Sequence, residues 1–132
     1  MANYTDLDVK RYGPQRAADN CDTIAIVKNP VKSDSYATFL TRVIASAPID
    51  NTDWSFTDVS EDLRVDVAGV TGVDPSGTAA DTDDLSLAVY DSVNSKVYIV
   101  SDAVDRNITN ETGDLVNIPA LRYWFRELTP VA

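Results

Sequence analysis

Between Leu85 and Val100 this chain has few structural choices. Two short apolar runs, Leu85-Ser-Leu-Ala-Val-Tyr90 and Lys96-Val-Tyr-Ile-Val100, flank the polar segment Asp91-Ser-Val-Asn-Ser95. Side chains alternate across an extended chain, so Leu85, Leu87 and Val89 share one face and Ser86, Ala88 and Tyr90 the other. The second run is β-branched or aromatic almost throughout, the pattern of a strand covered on both faces. The polar segment has hairpin length and is rich in side chains that bond their own backbone. The stretch predicts a central β-hairpin on which the rest of the domain is built.

The flanking sequence adds further short strands. Thr23-Ile-Ala-Ile-Val27 reads as a strand closed by Asn29-Pro30, because proline cannot continue a central ladder. Trp54 and Phe56 alternate with polar residues, as do Leu63, Val65 and Val67, which marks half-buried strands. Trp54 is most simply a core anchor. Leu115 to Ile118 is a short strand ended by Pro119, and Gly69 to Asp84 reads as loop. Two segments are ambiguous. Tyr36, Phe39, Leu40, Val43 and Ile44 fit helical spacing, with Ser33 or Asp34 as cap, but β-branched residues and Pro48 argue for strand from Leu40 onward. In 121–128 helical spacing of Leu121, Trp124, Phe125 and Leu128 competes with a strand that puts Leu121, Tyr123 and Phe125 on one face and Arg122, Trp124 and Arg126 on the other, and the aromatics favour the strand.

Residues 1–20 carry no sustained period, and Gly13-Pro14 is a break signal. They predict an extended N-terminal arm, separate from a domain over 21–132. The fold class expected is mainly β, a single antiparallel β-sandwich or jelly-roll-like domain with the arm and room for one short helix near 34–42.

The 132 residues carry a net charge of −10. Residues 43–105 hold thirteen acidic and two basic groups, a net of −11. Such a surface repels phosphate, so nucleic acid is not an expected partner. No apolar run approaches the ~20 residues that span a bilayer, so no membrane is expected either. The N-terminus lacks the pattern of a signal peptide, which points to assembly in the cytoplasm. The one cysteine, Cys21, cannot form an intrachain disulfide, and neighbouring Asp19 and Asp22 would raise its pKa.

Histidine is absent, which removes Ser-His-Asp and Cys-His catalysis and the commonest zinc ligand. Gly69-Val-Thr-Gly72 lacks the lysine and helix of a phosphate loop. Asp81-Thr-Asp83-Asp84 gathers oxygens but fails the calcium-loop pattern: Leu85 stands at the fifth position, Ser86 where glycine is needed and Ser92 in place of the closing glutamate. No catalytic, cofactor or metal residue is assigned, and an enzyme is not expected. The candidate residues are for partner binding: Tyr4, Lys10, Arg11, Tyr12 and Arg16 on the arm, and Arg122, Trp124 and Arg126 near the C-terminus. Tryptophan, tyrosine and arginine are the residue types enriched at interface hot spots.

Ser76-Gly-Thr-Ala79 followed by Leu85 to Val100 resembles small β-rich virion proteins of tailed bacteriophages, in which a small-Gly-Thr-Ala loop leads into an apolar strand, an Asp-Ser-x-Asn-Ser turn and a second strand. Val43-Ile-Ala-Ser-Ala-Pro48, Asp53-Trp-Ser-Phe56 and Gly113-Asp-Leu-Val-Asn-Ile-Pro119 are similar in style, so the resemblance covers roughly residues 43–119. It implies a non-enzymatic capsid decoration or cement protein, located in the virion, with the major capsid protein and copies of itself as partners. A small tail or head-completion protein is a neighbouring expectation. A carbohydrate- or receptor-binding β-sandwich module, with Trp54 or Trp124 as platform, is the alternative of a different class.

Overall fold

Nine strands, all paired antiparallel, and two helices make up the described part of the chain. The computed structural model describes residues 7–60, 62–79, 82–102 and 115–125. In order these are α1 (Leu7–Asn20), β1 (Thr23–Lys28), α2 (Tyr36–Thr41), β2 (Val43–Pro48), a 3-10 turn at Asn51–Asp53, β3 (Trp54–Val59), β4 (Asp62–Val67), β5 (Val70–Val73), β6 (Leu85–Asp91), β7 (Lys96–Asp102), β8 (Val116–Ile118) and β9 (Leu121–Phe125). They form sheets of order β2-β1-β6-β7, β3-β4-β9 and β5-β8. The architecture is mainly β, a sandwich-like single domain.

Strand alternation builds the two sides of the four-stranded sheet. Ile24 and Ile26 of β1 and Leu85, Leu87 and Val89 of β6 face the main core, where they meet Leu63, Val65 and Val67 of β4 and Leu121 of β9. Ala25, Val27, Ala88 and Tyr90 face the other way, under Phe39 and Tyr36 of α2. Phe39 and Tyr90 meet edge to face at 5.4 Å between ring centres. Ser35 starts α2 by accepting the Thr38 N–H on its side chain. The cap is therefore Ser35, one or two residues later than Ser33 or Asp34. Asp34 is instead drawn into an ion pair with Arg42 at 2.7 Å.

The predicted hairpin is present, but its strands exchange roles. All seven residues of β6 are buried, and β6 lies between β1 and β7. β7, richer in β-branched residues, is the edge strand, and Val100 on it is 41 % exposed. A slip in register between Val89 and Tyr90 leaves Tyr98 as the extra residue, a bulge of the kind found on sheet edges. Apolar content alone cannot tell a central strand from an edge strand, because that depends on which strands pair on either side.

The N-terminal expectation is corrected from Leu7 onward: residues 7–20 are helical rather than extended. α1 continues through Pro14, whose missing N–H costs a helical hydrogen bond. The Pro14 ring, Ala17 and Ala18 are buried, and Ala17 and Ala18 belong to the main core, so tertiary packing offsets the local penalty. The helix lies against β3, β4 and the 3-10 turn and joins the same body as the strands. A second correction concerns the 69–84 loop. Val70–Val73 forms β5, paired with β8 although forty-two residues lie between them, an association that no local pattern signals.

The Ser76-Gly-Thr-Ala79 motif has a structural role. The Ser76 and Gly77 N–H groups both donate to the Ile44 carbonyl, at 2.8 and 3.1 Å, beside the irregularity where β2 leaves register with β1. Ala79 is buried against the core.

Candidate functional site

The sheet β3-β4-β9 has one core face and one outward face. On β9, Leu121, Tyr123 and Phe125 sit opposite Val67, Val65 and Leu63 of β4, which are all fully buried. The intervening residues Arg122 and Trp124 sit opposite Asp66 and Arg64 on the outward face. The face division expected for 121–125 is thus the one observed. Asp66 lies between two guanidinium groups: Arg64 Nε donates to its Oδ2 at 2.8 Å and Arg122 Nε to its Oδ1 at 2.7 Å. One carboxylate thus orients both arginine side chains through their Nε atoms. The triad carries one net positive charge. Arg122 is exposed and Trp124 half-buried.

Sequence reasoning named Arg122 and Trp124 but missed Arg64 and Asp66. Their alternation with Leu63, Val65 and Val67 already placed them outward; only the pairing of β4 with β9 brings them beside Arg122. Of the other candidates, Tyr4 and Arg126 lie outside the described residues. Lys10, Arg11 and Tyr12 fall on the α1 backbone, and Arg16 is exposed on the same helix. Trp54 is buried on the core side of β3, with its Nε1 buried and without a hydrogen-bond partner among the described residues. It cannot serve as a binding platform.

Around the β9 rim from this face lies an open groove of about 690 Å³. Phe39, Val97 and Val100 line it, with Tyr123 of β9 and Val31 of the loop before α2 at its border. Lys32 and Asp84 balance one another's charge there, and Asp34 is taken by Arg42.

The densest polar cluster serves structure. Asp22 accepts the Ser92 N–H at 3.0 Å and the Ser92 hydroxyl, while its own N–H donates to the Tyr90 carbonyl. Asp91 accepts from the Val93 and Asn94 N–H groups and from the Asn94 side chain, which closes the hairpin turn. Burial by itself would raise the Asp22 pKa, but the bonds from Ser92 and Thr23 outweigh it and hold the carboxyl below its usual value. The Asn94 side chain does the same for Asp91. Burial, then the charges of Asp91 and Asp22, push the Cys21 thiol up to about 12, so it stays protonated and unreactive at neutral pH.

A lowered folded pKa gives stability that is present above the unfolded value and is lost as pH falls through the folded one. Asp22→Asn is therefore expected to lower the thermal midpoint at pH 7, with the gap to wild type beginning to narrow below the unfolded value of about 3.8 and closing as pH falls through the lower folded one. Melting curves across pH 2–7 measure this, and a gap independent of pH would remove the charged clasp.

Among the described residues, no group of three or more His, Cys, Asp or Glu is placed to hold a metal ion. Asp83 accepts the Asn29 side-chain N–H, and Asn29 accepts the Asp84 N–H, so this acidic turn ties β1 to β6. Among the described residues, no helix is long and apolar enough to cross a membrane. Comparison with known proteins finds no matching family model, no matching curated protein and no matching solved structure.

Proposed function

We propose that this protein is a non-enzymatic structural component of a virion, a decoration or cement protein that binds the major capsid protein of a tailed-phage head together with copies of itself. The observation that carries this reading is the outward face of β3-β4-β9, where Arg64, Arg122 and Trp124 stand on a sheet anchored to the core on its other face by Leu63, Val65, Val67 and Leu121. A rigid sheet holds such side chains in place, so little ordering entropy is lost on contact. Many copies engaging a shell at once make modest single contacts sufficient. The resemblance over residues 43–119 supports the same reading, and the net charge of −10 discourages adhesion to packaged DNA. Assembly then takes place in the host cytoplasm, with the virion as final location.

The test is quantitative mass spectrometry of purified particles, with heads and tails separated. The expected result is a high copy number in the head fraction. Recovery only with tails, or at a few copies per particle, assigns a tail or head-completion role instead; absence from particles overturns the reading.

A further inference from the structure

We propose that α1 is a releasable strap: it leaves the β body as a unit, in an equilibrium separate from unfolding of the sheets, and loses its helix when it leaves. Gly13 and Pro14 stand side by side in the middle of this helix. Pro14 has no N–H to donate and its ring crowds the carbonyl one turn earlier, while glycine is among the weakest helix formers. A segment this short is marginal as an isolated helix even when its sequence is favourable. Its helical form therefore depends on docking, and the docked face is narrow. Between Gly13 and Asn20 the buried residues are Pro14, Ala17 and Ala18, whereas Gly13, Gln15, Arg16 and Asp19 are exposed. Two alanine methyls and one proline ring remove little apolar surface from water. The side-chain hydrogen bonds of Gln15 and Asn20 stay within the helix, to Asp19 and to the Arg16 carbonyl, and do not reach the sheets.

The body agrees with this from its own side. β3 and the 3-10 turn before it, both of which α1 lies against, meet at Trp54, whose Nε1 is buried without a hydrogen-bond partner among the described residues. A donor left unpaired is a cost of the closed state. The point of release is also defined. Asp22 is held to the hairpin through Ser92 and the Tyr90 carbonyl, and its own carbonyl accepts the Ile49 N–H, so the body grips the chain from Asp22 onward. Between that grip and the helix lies Cys21, whose N–H donates to the Ala17 carbonyl as the last bond of the helical end. Cys21 is 3 % exposed while α1 is docked, and release uncovers it.

Cys21 is the sole thiol of the chain, so its labelling by a soluble aromatic disulfide reads the release in the wild-type protein. Labelling is timed at zero and low urea, and global unfolding is followed by far-ultraviolet circular dichroism. The expected rate is at least about a hundredfold above the one global unfolding alone would give, with weak urea dependence, because releasing one helix exposes little surface. Gly13→Ala separates loss of the whole helix from fraying of its last turn. A Cβ at Gly13 would meet nothing within 4 Å, so alanine adds helix propensity without a clash, and labelling is expected to slow about fivefold. Phe39→Leu separates release from global unfolding. Phe39 lies in the second core, across the four-stranded sheet from Ala17 and Ala18, so its truncation is expected to lower the urea midpoint and leave the labelling rate unchanged. Val97→Ala, against the same core, is the milder replacement if Phe39→Leu does not fold. Labelling no faster than global unfolding overturns the proposal. So does a rate that Gly13→Ala leaves unchanged, or one that rises in step with the stability lost in the second core.

Discussion

Leu87→Ala is expected to lower the unfolding free energy by about 3 kcal/mol, whereas Val100→Ala, in the other strand of the same hairpin, costs about 0.5 kcal/mol or less. Leu87 is 2 % exposed and lies in the main core, level with Ile26 on β1 and Ser101 on β7. Its truncation leaves a cavity between sheets, and neighbours paired on both sides of β6 cannot move in to fill it. Val100 sits on the edge strand at 41 % exposure and leaves no void. Urea denaturation followed by tryptophan fluorescence gives both values from one pair of variants. Equal losses, or the reverse order, would place β7 rather than β6 at the centre of the sheet.

The second large effect is expected at Gly69, where alanine costs about 2–3 kcal/mol, within the usual range for overpacking. The backbone there is not left-handed, so conformation does not demand glycine. Space does: a Cβ would lie 2.5 Å from the Ile118 carbonyl oxygen, 2.8 Å from the Ala120 nitrogen and 2.9 Å from the Pro119 carbonyl carbon. These are backbone atoms and cannot swing aside as a flexible side chain would. The segment they belong to joins β8 to β9, so relief of the clash must shift the start of β9. Gly69→Ala is therefore expected to reduce the urea midpoint. A wild-type midpoint would show that the close approach relaxes at no cost.

How much was legible in the sequence can be judged element by element. The alternation in Leu85–Tyr90, Leu63–Val67 and Leu121–Phe125 is carried by neighbouring residues, because a strand sends successive side chains to opposite faces whatever it pairs with. The face assignments on β4, β6 and β9 follow from it. At 36–44 the sequence left helix and strand open: helical spacing there competes with β-branched residues, and the structure makes Tyr36–Thr41 a helix with the strand starting at Val43 rather than Leu40, capped by Ser35 while Asp34 pairs with Arg42. α1 was not legible, because its proline and glycine oppose a helix locally and only the packing of Pro14, Ala17 and Ala18 reverses that.

The candidate surface divides along the same line. The residues 121–125 by themselves determined that Arg122 and Trp124 share one face and Leu121, Tyr123 and Phe125 the other, and the composition determined an acidic chain without histidine. Tertiary structure alone decided that Asp66 and Arg64 join Arg122, that Trp54 is buried, and that β7 and not β6 lies at the edge. The physical reason is that facing is a property of one strand's pleat, whereas neighbourhood and burial are properties of pairs of strands separated by tens of residues, and the free energy that selects those pairs comes from the shared core rather than from either segment alone.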